Sequence, residues 1–229
     1  METQKTIKVF TVLPREATMK ERILQEAALW FFREGFARVS MDDLARELGI
    51  SKKTIYQHFA SKEDLLEQVL EQLVQGIDRD VCAILDEEQA DFIQKLTRLF
   101  ALLAGRLSQL SQAFTRDLQK YTPEIWKKVD ERRSQMLQKN FRRLVAEGVK
   151  QQAFRRGFDP QFFLLSYLTL IRQIINPEML LQLSISPRQA FENIVNILME
   201  GVLSEEARMH YKPRKFALDA FSKGVLQQL

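Results

Sequence analysis

The stretch ISKKTIYQHFASKEDLL, residues 50–66, brings His58 together with Tyr56, Gln57, Lys52, Lys53 and Lys62, with no acid before Glu63. A histidine acting as a general base needs an orienting acid or a second base within reach, and this stretch supplies none. A zinc site needs more ligands than His58, His210 and Cys82 provide. The chemistry left to these residues is hydrogen bonding and charge pairing with an external anion. Placed on a helix at ~100° per residue, Ile55 and Phe59 fall about 40° apart and face a core. Lys53 and Gln57 then lie on the opposite side, flanked by Thr54 and Tyr56. A lysine reaches guanine N7 and O6, and a glutamine pairs with adenine N6 and N7. Lys52, Tyr56, His58 and Lys62 line the edges, where phosphates would run. The same face also reads as an ordinary solvated helix surface.

Such a helix must be held by its neighbours. Ser51 can cap it, and Gly49–Ile50 before it reads as a left-handed stop followed by its usual apolar residue. Upstream, Ser40 caps a helix whose first turn carries Asp42 and Asp43 and whose apolar stripe is Leu44, Ala45 and Leu48. Two short helices joined by Gly49–Ile50–Ser51 have the form of a helix-turn-helix, whose second helix enters the DNA major groove. A first helix over Ala17–Glu34, ending at Gly35, presents Ile23, Ala27 and Phe31 as its support. A fourth begins after Ser61 and runs to about Leu85.

The rest of the chain is patterned in the same way. With 8 glycines and 6 prolines in 229 residues, long tracts of helix formers are broken near 86–89, Gly105, 121–123, 148–157, 176–177 and 184–187. The expected fold class is all-α: an N-terminal three-helix helix-turn-helix domain (17–63) followed by a larger helical domain (64–203). Residues 1–16, with the β-branched TIKVFTVLP, suit an extended or disordered leader. Residues 204–229 form a tail with an amphipathic helix that docks on its own domain or serves a dimer. Net charge is +4, with 45% apolar residues and a single cysteine. That excludes a disulfide framework, and the longest apolar run, Ala27–Phe32, is far short of a membrane span. The expectation is a cytoplasmic protein with no cofactor and no catalytic site, since no P-loop, GxGxxG, HExxH or Ser-His-Asp set is present. Cys82, alone in an apolar helical stretch, reads as inert in preference to a redox sensor.

SMDDLARELGISKKTIYQHFASKEDLL, preceded by AALWFFREGFARVS, closely resembles the DNA-binding signature of the tetracycline-repressor (TetR) family of bacterial regulators. The shared features are Ser40, Leu44–Ala45, Gly49–Ile50–Ser51, Tyr56–His58–Phe59 and Ser61–Leu65. The resemblance implies that Tyr56, His58 and Lys62 contact backbone phosphates, within a DNA-binding set of Ser40, Ser51, Lys52, Lys53, Thr54, Tyr56, Gln57, His58 and Lys62. Lys53 departs from the family, which often has a small residue there. Residues 114–155 resemble, more loosely, the long helix of the family's regulatory domain and its following turn, where Gln152 stands in place of a frequent glycine.

From this resemblance follow a homodimer, double-stranded DNA as partner, and a small-molecule effector enclosed by the regulatory domain. Lipophilic or aromatic ligands would suit the lining candidates Phe92, Phe100, Phe114, Tyr121, Trp126, Phe163 and Tyr167, which equally suit a plain core. Arg106, Arg116 and Arg172 are candidates for an anionic ligand group or for salt bridges. The two most apolar helices, 160–175 and 187–203, are expected to pair across a twofold axis through Phe163, Tyr167, Ile171, Phe191, Ile194, Val195, Leu198 and Val202. The alternative is that these residues build an intramolecular core. The function expected is that of a repressor of a near-palindromic operator released by its effector. The rival is an effector-independent protein of the same fold that acts in chromosome organisation or under a protein partner.

Overall fold

The structure, a computed structural model, describes residues 17–211. The expected arm at 1–16 and residues 212–229 of the tail lie outside the described residues. The described helices are α1 (Met19–Glu34), α2 (Met41–Leu48), α3 (Lys52–His58), α4 (Lys62–Leu85), α5 (Phe92–Leu107), α6 (Gln112–Tyr121), α7 (Pro123–Lys150), α8 (Pro160–Ile174), α9 (Pro177–Gln182), α10 (Pro187–Val202) and α11 (Glu205–His210). An isolated antiparallel bridge joins Phe154 to Leu203.

Capping sets most of the starts. Thr18, Ser40, Asp91 and Ser186 each accept from the amide three residues on, and Glu21, Asp43, Gln94 and Gln189 return the bond to the cap. The Thr18 cap starts α1 at Met19, two residues later than the apolar pattern suggests. The breaks expected near Gly105 and over 148–157 both occur, but α5 runs through Gly105 to Leu107 and α7 through Gly148 to Lys150 before each helix ends. One glycine in a helix costs about 1 kcal/mol. Burial of Leu103 beside the first, and of Leu144 and Val145 beside the second, outweighs that.

Two cores form, and α4 belongs to both. Its N-terminal half gives Leu65, Leu66, Val69 and Leu70 to a core with Ile23, Phe31, Leu44, Ile55 and Phe59, and α6 and α7 add Phe114, Leu118 and Val129. Its C-terminal end gives Val81 and Leu85 to a core with Phe92, Leu96, Phe100, Phe141, Phe163, Tyr167 and Phe191. At 24 residues α4 spans about 36 Å, so it links the two cores mechanically. Its far end is pinned by Lys95, a buried lysine on α5 that donates to the Leu85 carbonyl (3.0 Å) and pairs with Glu147 on α7 (2.9 Å). A buried ammonium is tolerable only with such partners.

The aromatic and dimer residues expected from sequence fall differently. Phe163, Tyr167, Ile171, Phe191, Ile194 and Val195 are buried against their own chain, while Leu198 and Val202 are half-buried beside them. The six buried side chains leave little surface for a partner, and only Leu198 and Val202 keep some. The apolar surface that α8 and α10 leave open is instead Phe162 (69% exposed), Leu165 (62%) and Ile197 (72%). Both helices are apolar on two faces, so periodicity identifies the helices without saying which face turns inward. The aromatic ligand candidates are likewise dispersed. Phe92, Phe100, Phe163 and Tyr167 sit in the second core, with Tyr167 stacked on Phe141 at 3.6 Å. Phe114 and Trp126 belong to the first core, and Tyr121 is exposed under Lys120.

Candidate nucleic-acid interface

The turn between α2 and α3 is fixed by backbone chemistry. Gly49 adopts φ +65°, its N–H donates to the Arg46 carbonyl (3.2 Å), and the Ile50 N–H reaches back to Ala45 (3.0 Å). This paired closure needs a left-handed residue, which glycine supplies without steric cost. Ser51 then caps α3 through the Thr54 amide (3.0 Å), and its hydroxyl also lies 2.8 Å from that of Thr54. Ile55 and Phe59 are 0% and 1% exposed and anchor α3 to the first core.

The outer face of α3 is the one the wheel requires. Lys52, Lys53, Tyr56, Gln57 and His58 are exposed, and Thr54 is half-buried on the flank. Lys53 and Gln57 have no polar partner among the described residues, so both are free to meet an external group. Lys52 is engaged by Asp42 on α2 (2.8 Å), a hydrogen bond that raises its ammonium above the usual lysine value. Ser40 is occupied as the α2 cap, its hydroxyl 2.6 Å from Asp43. Lys62 is turned inward. Its Nζ donates to the Phe36 carbonyl and lies 4.1 Å from the Phe36 ring centroid. Burial there lowers its ammonium below the usual lysine value. Its observed contact is to the turn between α1 and α2.

That turn is held from the other side as well. Asp117 on α6, 4% exposed, accepts from the Ala37 N–H at 2.8 Å, and the Ser111 N–H that precedes α6 donates to Phe32 at 2.9 Å. The helix-turn-helix is thus braced by α4 through Lys62 and by α6 through Asp117. Sequence periodicity gives no sign of Asp117, because its partner lies 80 residues away. Lys20 on α1, 5.6 Å from the Phe59 ring at the end of α3, is a second basic group that the sequence reading missed. The remaining candidates are spoken for: Arg106 pairs with Asp80, Arg116 lies 3.9 Å from Asp117, and Arg172 lies 3.8 Å from Asp130. Cys82 is half-buried near Asp78 and Asn140. Among the described residues, no three His, Cys, Asp or Glu side chains are grouped to hold a metal ion, and no helix is long and apolar enough to cross a membrane.

Residues 23–69, α1 through the first turns of α4, match the model of the bacterial regulatory proteins of the tetR family. That segment is a helix-turn-helix domain of the TetR type. Along most of its length it is similar to YvaF of Bacillus subtilis, an uncharacterised HTH-type transcriptional regulator. They are 29% identical over 193 residues, which is 82% of this chain and 97% of that one. Similarity to the nucleoid occlusion factor SlmA of Aliivibrio fischeri is 33% over 91 residues, 39% of this chain and 46% of that protein. The solved transcriptional regulator from Cytophaga hutchinsonii shares the fold at a TM-score of 0.60 and 17% identity, covering 80% of this chain and 98% of its own. Within the matched segment α2 and α3 form the DNA-binding helix-turn-helix, with α3 as its second helix.

Proposed function

We propose that this regulator is a homodimeric repressor that binds a near-palindromic operator and leaves it when a small effector binds. The observation carrying the reading is the outer face of α3, where Lys53 and Gln57 project without polar partners among the described residues, beside Tyr56 and His58. Base-edge donors left unpaired on a capped, core-anchored helix suit major-groove readout, with Lys52, His58 and Tyr56 meeting phosphates. One such helix reads only a few base pairs, and a twofold dimer presents two of them about one turn of DNA apart. Exposed Phe162, Leu165 and Ile197 supply an apolar surface for that dimer on α8 and α10. The reading is tested by incubating the protein with fragmented source genome and sequencing what is retained. One or a few fragments sharing an inverted repeat are expected. Retention spread across the genome would favour the second reading, a chromosome-organising protein under a protein partner, which the likeness to a nucleoid occlusion factor supports. Failure to retain any duplex would overturn both.

A further inference from the structure

Helices α4 and α7 run side by side and are joined by a ladder of polar rungs. Lys128 pairs with Glu67 (3.2 Å), Arg132 with Glu71, Asn140 donates to Asp78 (2.6 Å), and Arg143 reaches Asp86. The first three rungs join residues 61 or 62 apart in sequence, so the two helices are parallel and in register. At the register position due between Arg132–Glu71 and Asn140–Asp78 stand Gln75 and Met136, a pair that cannot form an ionic rung, and both line the gap. The gap is a cleft of about 270 Å³, floored by Val74, Val129 and Met136 and rimmed by Gln75, Gln135 and Lys139. Two acids also line it, but both are already satisfied: Glu71 by Arg132, and Asp78 by Asn140 and the Cys82 thiol. Lys139 is the one lining charge without a partner among the described residues.

We propose that this cleft binds a small amphipathic monocarboxylate, its carboxylate on Lys139 and its apolar body on Val74, Val129 and Met136. At the ~30 Å³ that a water occupies in the liquid, the volume admits about nine or ten non-hydrogen atoms. The two glutamine amides supply orienting hydrogen bonds, as expected where a few polar groups rim an apolar floor. Val129 belongs to the core that carries the helix-turn-helix, and Val74 packs against that same core. A ligand wedged between them changes the spacing of α4 and α7 and so the seating of α2–α3. This deepens the effector reading above and rests on it for the consequence to DNA, though not for the binding itself.

The test uses full-length protein with 13C-methyl methionine and two probes, octanoate and phenylacetate, with octan-1-ol as the uncharged control. Saturable movement of the Met136 methyl signal, assigned by its loss in Met136→Leu, is expected with both carboxylates. Lys139→Gln should weaken carboxylate binding about tenfold, Lys139→Arg should retain it, and octanol should be indifferent to either change. An unmoved Met136 signal, or equal carboxylate binding by Lys139→Gln, overturns the site. Release of a retained genomic duplex is measured in parallel. Lys139-dependent binding without any change in DNA affinity upholds the site and overturns its coupling to DNA.

Discussion

Gly35→Ala adds one carbon at the joint between the helix-turn-helix and α6. Gly35 ends α1 with φ +94° and ψ 151°, a backbone region that side chains rarely tolerate. The new Cβ would stand 2.6 Å from Asp117 Oδ2 and 3.3 Å from Ala113 Cβ. The backbone strain is worth about 1–3 kcal/mol, and displacing packed neighbours costs about 1–3 more. The expected loss is therefore about 2–6 kcal/mol, a large share of the ~5–15 kcal/mol a domain of this kind holds. Urea unfolding followed by circular dichroism should show a lower midpoint at unchanged slope. Asp117→Ala removes the carboxylate that the new carbon meets, so the double variant should lose about 1–3 kcal/mol less than the two single losses combined. A loss below ~0.5 kcal/mol for Gly35→Ala, or strict additivity in the pair, would refute the view that this turn is pressed against α6.

Gln152 sits at φ +53° in the turn after α7, so Gln152→Gly should stabilise the fold by about 0.5–1 kcal/mol after the extra freedom of the unfolded chain is counted; a raised urea midpoint checks it. Ile197→Asp places a charge on the exposed apolar face of α10, and in the proposed twofold dimer each substitution acts twice. At ~1.5 kcal/mol or more per copy, the dimer dissociation constant should rise at least ~100-fold by analytical ultracentrifugation, with helix content unchanged. The Ser40 hydroxyl, followed by its N–H, holds the Asp43 carboxyl below its ordinary value of 3.8. A depressed carboxylate stabilises the fold above its unfolded value and loses that contribution as pH falls through its folded one. The stability gap between wild type and Asp43→Ala should thus be full at neutral pH and narrow steadily below 3.8.

Local chemistry was the most legible part of the sequence. Ser40, Gly49, Ser51 and Ser61 act within a few residues, so caps and turns follow from residue type alone. The outward face of α3 followed from a seven-residue wheel, because one side is unambiguously apolar through Ile55 and Phe59. Failures came where a choice depended on distant contacts. Phe162 and Phe163 are adjacent and chemically alike, and only packing against Phe141 and Phe158 decides which is buried. The inward turn of Lys62 depends on a carbonyl 26 residues away, and the α4–α7 cleft on helices whose register no local pattern encodes.

The central claim is that α3 reads bases through Lys53 and Gln57. The most direct measurement is the affinity of wild type, Lys53→Ala and Gln57→Ala for the operator and each of its single-base-pair variants at one fixed salt concentration. Each variant protein should lose ~1–3 kcal/mol of discrimination at its own base pair in each half-site and keep its preferences elsewhere. Equal weakening of both proteins on every sequence would contradict the claim and reduce α3 to a phosphate-binding helix.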